Sequence, residues 1–241
     1  LLTLDGATPD LDAVEVRTTG TLRHSPVYDT DLRLGTLLVM GAYEMGTTFS
    51  PLSNARASIT VLDVPPADPE QYLAGIIVTG KFQAAGRYKR AWVRLSEDAL
   101  AASTVLKLAS PATGWRRGDR LFLQGGHFPD EDWLAGTETA VVKSVAADGL
   151  LVELEAPLRF DHRGLRQYRC AVGNLTRNVA IRSANPRGNR GHVMFTGPAS
   201  VELQGVELFG LGRTTAAALH PQGNHIGRYP LHLHHLNDWP A

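Results

Sequence analysis

Cysteine is almost absent: Cys170 is the only one in 241 residues. An internal disulfide framework and a thiolate metal cluster are therefore excluded, and Cys170 reads as a buried, inert thiol. Aromatic residues are sparse at 7%, and helical signals are scarcer still. The one stretch of helical composition, Ser96 to Ala102 (SEDALAA), predicts a single turn with Ser96 as its N-cap. Apolar runs such as Thr36 to Met40 are far too short to span a bilayer, so the chain itself does not insert into a membrane. Nor is there net charge of either sign, because 24 Lys plus Arg balance 24 Asp plus Glu. No overall field steers the chain to nucleic acid or to an anionic membrane. The chain opens at Leu1 without a charged-then-apolar leader and shows no closing element over Asn237 to Ala241. It reads as a piece of something longer.

What the chain has is glycine (24), proline (14) and many short apolar runs separated by turn residues. That pattern predicts an all-β fold of short strands. Two internal echoes refine it. Leu37 to Gly46 (LLVMGAYEMG) resembles Ile76 to Gly86 (IIVTGKFQAAG): an apolar strand, a glycine corner, a shorter strand and a second glycine. Asn178 to Ile181 resembles Ser200 to Leu203, with Val206 to Phe209 and Pro230 to Leu233 following. Short strands repeated at intervals of this kind are produced by the stacked coils of a parallel β-helix; a β-sandwich or barrel is the competing architecture. The texture between the echoes differs. Thr139 to Val145 and Leu150 to Leu154 flank an Asp148-Gly149 hairpin signal, within a compact antiparallel subdomain. The expected segments are 1–90 (glycine-rich, β-helical), 91–172 (antiparallel subdomain and connection) and 173–241 (first coils of a parallel β-helix).

The chemistry concentrates in Gly227 to Leu236, GRYPLHLHHL. Leu231 to His234 alternates apolar and polar, so Leu231 and Leu233 are expected to face a core and His232 and His234 to face outward together. His235 breaks the alternation and predicts a bulge or strand end. Two imidazoles on one face can transfer protons, bind metal or hold a polyanion, or can simply stack as a polar ladder. His232 and His234 are thus the catalytic candidates. A divalent metal would need a third ligand from a neighbouring coil, for which His192 is the first choice, ahead of His220 and His225. Arg228 offers a planar fork to a uronate carboxylate and Tyr229 an apolar face to a sugar ring, with Arg190 and Arg213 as further groove arginines. Elsewhere, Asp161 and His162 read as turn-capping residues, and Asp119 as an acceptor for turn amides. His127 with Asp130, Glu131 and Asp132 reads as a solvated loop rather than a calcium loop.

These pieces carry a resemblance. LGTLLVMGAYEMGT (34–47), GIIVTGKFQAAG (75–86), GWRRGDRLFL (114–123), PLRFDHRG (157–164), GNLTRNVAIRS (173–183), RGHVMFTG (190–197) and GRYPLHLHHL (227–236) span nearly the whole chain. In this order they resemble the eight-glycine domain followed by the start of a right-handed parallel β-helix. That arrangement is similar to the hyaluronan-depolymerising cell-surface and secreted proteins, to fibrocystin-like receptors and to compact bacterial relatives. The resemblance implies an extracellular or cell-surface module that handles polysaccharide, with glycan cleavage as a possible activity. The alternative is a non-catalytic structural or adhesion module that associates with other chains through the open end of its β-helix.

Overall fold

The computed structural model describes residues 1–125, 136–164, 169–220 and 223–236. The chain divides into two compact units, one made of Leu1–Arg87 with Arg177–Ala241, the other of Tyr88–Thr176. The segments expected at 1–90 and 173–241 thus share one unit except for 88–90 and 173–176, which belong to the other. Among the described residues there is no helix. The SEDALAA stretch forms none: Ala99 is caught in an antiparallel bridge with His162, and Ala102 takes a left-handed φ of 68°. Tertiary pairing overrides the local helical composition there.

The first unit begins with β1 (Leu2–Leu4), β2 (Leu11–Val16), β3 (Thr21–His24), β4 (Thr30–Val39) and β5 (Ala42–Met45). It continues through β6 (Ala57–Val61), β7 (Ile76–Val78) and β8 (Lys81–Ala85). In the second unit lie β9 (Trp92–Arg94), β10 (Val105–Lys107), β11 (Arg120–Leu123), β12 (Glu138–Val145), β13 (Leu151–Leu154) and β14 (Ala171–Asn174). The chain then returns to the first unit with β15 (Val179–Ser183), β16 (Val193–Gly197), β17 (Ser200–Gln204), β18 (Val206–Phe209) and β19 (His232–Leu236).

The first unit is two parallel sheets. One has the order β1-β3-β5-β8-β17; the other runs β18-β15-β6-β4-β7-β16-β19, with β2 also on β4. The first sequence echo is a stacking register. Leu37 pairs with Ile76 and Val39 with Val78; after the corner, Tyr43 pairs with Phe82. In-register parallel strands put like side chains on one face, so each echo builds a column of core residues. The Tyr43 and Phe82 rings stack at 5.2 Å and 5°, and Phe195 meets Phe82 edge-on at 5.6 Å; all three are fully buried. The corner requires glycine: a Cβ on Gly80 would lie 2.2 Å from the Gly41 carbonyl oxygen. The second echo stacks differently from its sequence spacing. Val179 and Ile181 pair with Val206 and Leu208, whereas Val201 pairs with Phe82 in the other sheet.

β4 pairs with β2 on one side and is shared by two strands on the other. Thr30 to Leu34 pair with β6 and Leu37 to Val39 with β7. Inward positions are 30, 32 and 34 before Gly35, then 37 and 39 after it, so the alternation changes phase at the glycine. Beside it His24 is buried, with Nδ1 2.7 Å from the Thr30 hydroxyl and Nε2 2.6 Å from the Tyr43 hydroxyl. Burial lowers its pKa to about 4 against the opposing pull of Asp31, so the ring is neutral.

The second unit is an antiparallel sheet in the order β10-β13-β12-β11-β14-β9. The Asp148-Gly149 hairpin joins β12 to β13, Gly149 adopting φ 72° and the Asp148 carboxylate accepting the Leu150 amide. Leu95, Leu106, Leu121, Val142, Val152 and Val172 form its core, with Cys170 buried at the edge.

The aromatic column sets an expectation for stability. Phe82→Ala should cost the first unit about 3–5 kcal/mol, the range for truncating a fully buried Phe. Phe49→Ala, at a ring 97% exposed, should stay within about 0.5 kcal/mol. Urea denaturation midpoints of the two variants check both values.

Candidate functional site

The GRYPLHLHHL segment leaves the loop after β18 and ends as β19 on the edge of the second parallel sheet. Its register on β16 puts Leu233 in line with Phe195, and His232 and His234 in line with Met194 and Thr196. The histidines therefore share the outward face. Leu233 points along the core column, yet it is 61% exposed because no described strand lies beyond it. At His235 the register shifts and φ becomes 43°, a bulge where the sequence alternation fails.

Four rings form a continuous edge-to-face row. Centroid separations are 5.2 Å for Tyr229–His232, 5.0 Å for His232–His234 and 4.3 Å for His234–His235. Nδ1 of His232 lies 2.8 Å from the Gly227 carbonyl oxygen. A carbonyl can only accept, so Nδ1 carries the hydrogen and the neutral ring keeps its lone pair on Nε2. The pKa of His234 sits below the ordinary histidine range, through partial desolvation and the neighbouring His235, His232 and Arg228.

Arg228 and Arg213 do something other than the sequence suggested. Arg228 is 5% exposed and donates Nε to the Gln71 carbonyl (2.9 Å), Nη1 to Ile226 (3.1 Å) and Nη2 to Glu70, while its guanidinium lies 4.1 Å over the Tyr72 ring. Arg213 donates Nη1 to the carbonyls of Ala74 (2.6 Å) and Arg190 (2.8 Å), and Nη2 to those of Gln71 (2.7 Å) and Leu73 (3.0 Å). Between them the two guanidinium forks take up carbonyls of a proline-rich loop that has no strand partner. Burial, with Arg228 close by, brings the pKa of Arg213 down to about 10. The arginines expected to hold a carboxylate are spent on backbone. Arg190 is half-buried, and its carbonyl belongs to the same clamp.

His192 is fully buried under that clamp, with neither ring nitrogen hydrogen-bonded. A Cβ on Gly75 would come within 2.4 Å of its Nδ1, so glycine is required there. Burial, then the charges of Arg213 and Arg228, lower its pKa to about 3. It does not join His232 and His234. Among the described residues no three His, Cys, Asp or Glu side chains converge as a metal centre requires. His220 and His225 instead line a cleft of about 830 Å3 with Asp68, Glu70, Asn224 and Ile226. Tyr229, 37% exposed, is the one substrate-binding candidate that stays with the histidine pair.

In the second unit, Asp161 caps the Ala101 amide at 2.7 Å. His162 is fully buried with both ring nitrogens against acceptors, the Gln124 carbonyl at 2.7 Å and Glu138 Oε1 at 2.9 Å. Two acceptors demand two N–H groups, so the ring is an imidazolium. Burial opposes the charge, but hydrogen bonds to Cys170, Glu138 and Gln124 carry its pKa to about 9. Burial likewise opposes ionisation of Glu138. The His162 contact and the amides of Arg159 and Phe160 prevail and hold its pKa below the usual carboxylate value. Asp119 binds Lys89 at 2.6 Å and accepts the Arg116 amide, the turn role its sequence position indicated. His127, Asp130, Glu131 and Asp132 lie outside the described residues.

No family model matches the chain. It is similar to a G8 domain-containing protein of Dictyostelium discoideum, at 28% identity over 150 residues, covering 62% of this chain and 10% of that protein. It is similar also to Fibrocystin-L of Homo sapiens, at 27% over 198 residues (61% and 4%), and to Protein rliB of Dictyostelium discoideum, at 25% over 214 residues (83% and 18%). The chain thus spans a small fraction of each of these relatives. Among solved structures, a tailspike of an Acinetobacter baumannii bacteriophage in complex with capsular saccharide overlaps 73% of this chain and 24% of its own. The TM-score is 0.31 at 14% identity, too low for an argument about fold.

Two outcomes follow from the buried polar groups. Arg228→Ala should destabilise the first unit by about 3 kcal/mol, since it strands carbonyls now bound by a charged donor; denaturant titration checks it. The pH limbs should run oppositely in the two units. The folded pKa of His162 lies above 6.5, so its stabilisation is complete below pH 6.5 and is lost as pH rises through about 9. His24 and His192 have depressed folded pKa values, so the first unit loses stability as pH falls below 6.5 toward 4 and 3. Melting curves from pH 3 to 10, with His162→Gln removing the alkaline limb, test the assignment.

Proposed function

We propose that this chain is an extracellular carbohydrate-binding module. It is a G8-type domain whose parallel sheets are the coils of a β-helix, and it meets glycan along the row Tyr229, His232, His234 and His235. One observation carries the reading: four rings, none in the core, form one edge-to-face row that starts at Tyr229 and continues on the edge strand β19. Tyr229 offers a flat apolar surface to a sugar ring, and the imidazoles offer donors and acceptors to its hydroxyls. The relation to G8 domain-containing proteins and Fibrocystin-L supports the domain assignment. The resemblance to hyaluronan-depolymerising surface proteins supports the ligand class and the compartment. No helix of the described residues is long and apolar enough to cross a membrane.

The activity we infer is binding rather than turnover. The arginines that would orient a uronate for cleavage are committed to carbonyls, and the His232–His234 pair has His192 walled off from it. A second reading, assembly with another chain, is favoured by Leu233, which lies in the core column and is 61% exposed. A further parallel strand laid on β19 would cover it. Sedimentation across a concentration series separates the two, since assembly predicts association and the binding module predicts none.

A polysaccharide panel run with and without a chelator, reading affinity and product size together, tests the main reading. Wild type should bind and leave chain length unchanged. Tyr229→Ala and His234→Ala should each weaken binding by about tenfold, one to two kcal/mol of contact, with melting temperature nearly unchanged. Shortened products that disappear in the His232→Ala/His234→Ala double variant would replace binding with glycan cleavage. Loss on chelation would establish the divalent metal. A wild type that binds no glycan would end the proposal.

A further inference from the structure

The second unit carries a cleft that the ring row does not use. Strand β9 reads Trp92-Val93-Arg94, with Val93 in the core and both neighbours on the outer face. Trp92 is 54% exposed, an unusual placement for the largest apolar side chain. Its cross-strand partner on β14 is Gly173. Sterics do not dictate that glycine, because a Cβ there would meet nothing nearer than 3.9 Å. The missing side chain leaves the indole uncovered on that side.

On the other side, the Ala109–Ser110 segment and the strand enclose a cleft of about 410 Å3. Arg90 and Arg94 border it together with Trp92, and among the described residues no carboxylate lines it. Arg90 spends one nitrogen on the Pro111 carbonyl at 3.3 Å and keeps its other donors. The Arg94 side chain is exposed and makes no hydrogen bond or ion pair among the described residues. Two arginines and one accessible indole therefore border the same cleft, with Ser110 among its lining residues.

We infer that this cleft is a subsite for an acidic saccharide. The indole takes the apolar face of a sugar ring, and Arg94 with Arg90 takes its carboxylate or sulfate. The chemistry is additive: stacking selects the ring, while the planar forks select a planar or tetrahedral anion over a neutral hydroxymethyl. The inference rests on the carbohydrate reading above and gives it a preference for charge that the Tyr229 row, with its arginines engaged, does not supply.

The full chain is titrated with a uronate hexasaccharide and with the same hexasaccharide after reduction of its carboxyl groups to alcohols, reading tryptophan fluorescence and calorimetric affinity. The uronate should perturb the fluorescence. Trp92→Ala should abolish that change and lower affinity about tenfold or more, with Trp92→Phe restoring most of it. Arg94→Gln should weaken the uronate by a similar factor and leave the reduced sugar unaffected, and added salt should act in the same direction. Trp92 and Arg94 are exposed, so an unchanged melting temperature is the control for folding. If both variants bind the uronate as wild type does while Tyr229→Ala loses it, the subsite is overturned and the carbohydrate reading stands. If polyglutamate of equal charge displaces the hexasaccharide, the cleft reads charge alone and the saccharide assignment falls. Failure of wild type to bind either sugar removes both.

Discussion

In-register stacking of parallel strands is the constraint on which the first unit depends. A parallel sheet that buries one face has no freedom to slip by one residue without exchanging its core for its surface. The column Val39–Val78–Phe195 in one sheet and the pair Tyr43–Phe82 in the other fix that register at several rungs. Once it is fixed, Gly41 and Gly80 must be small because a Cβ on each would strike the carbonyl of the preceding corner, Gly20 for Gly41 and Gly41 for Gly80. The outward placement of His232 and His234 follows too, since Phe195 holds Leu233 in line beneath it. The exposed ring row is thus a consequence of buried aromatic packing on the neighbouring strand β16.

Where a segment had no strand to pair with, arginine replaced the ladder. The loop through Glu70 to Ala74 presents carbonyls that a sheet would have satisfied, and residues Gln71 and Ala74 take left-handed φ angles of 54° and 57°. Arg213 and Arg228 supply between them the donors that strand neighbours would have given. The cost is burial of charge and, after it, two positive charges in close quarters; both lower the pKa of Arg213, and they are tolerable because a guanidinium is weakly hydrated and its charge is spread.

Legibility in the sequence followed from whether the physics was local. The all-β class, the Asp148-Gly149 hairpin, the bulge at His235 and the strand pairing behind the first echo could all be read. Each depends on alternation or on φ requirements expressed within a few residues. The second echo misled because Val201 and Val206 both look like partners for Val179, and the choice between sheets is made by the turn at Gly205, with φ 61°. Arg213 and Arg228 misled for another reason. An arginine beside glycine looks the same in sequence whether its donors meet a ligand or a distant carbonyl; the carbonyls of the Glu70–Ala74 loop lie well over a hundred residues away in the chain. The Glu138–His162 pair left no sequence signal, since neither residue has a neighbour that marks it for burial.

Three buried histidines show why residue type alone could not settle the site. His24 meets two hydroxyls, which can donate or accept, so burial decides and the ring is neutral. His162 meets a carbonyl and a carboxylate, which only accept, so the ring must hold both protons whatever burial costs. His192 meets no acceptor in bonding geometry and lies beside two guanidinium groups, so it is neutral and spent on packing. His232 is a further case: Nδ1 is held by one acceptor, the Gly227 carbonyl oxygen, and Nε2 makes no hydrogen bond among the described residues. Acceptor count around the ring, rather than the spacing of histidines along the chain, distinguishes a charge-pair histidine, a packing histidine and one free to meet a ligand. By that criterion the edge strand is where this unit keeps unspent imidazole chemistry.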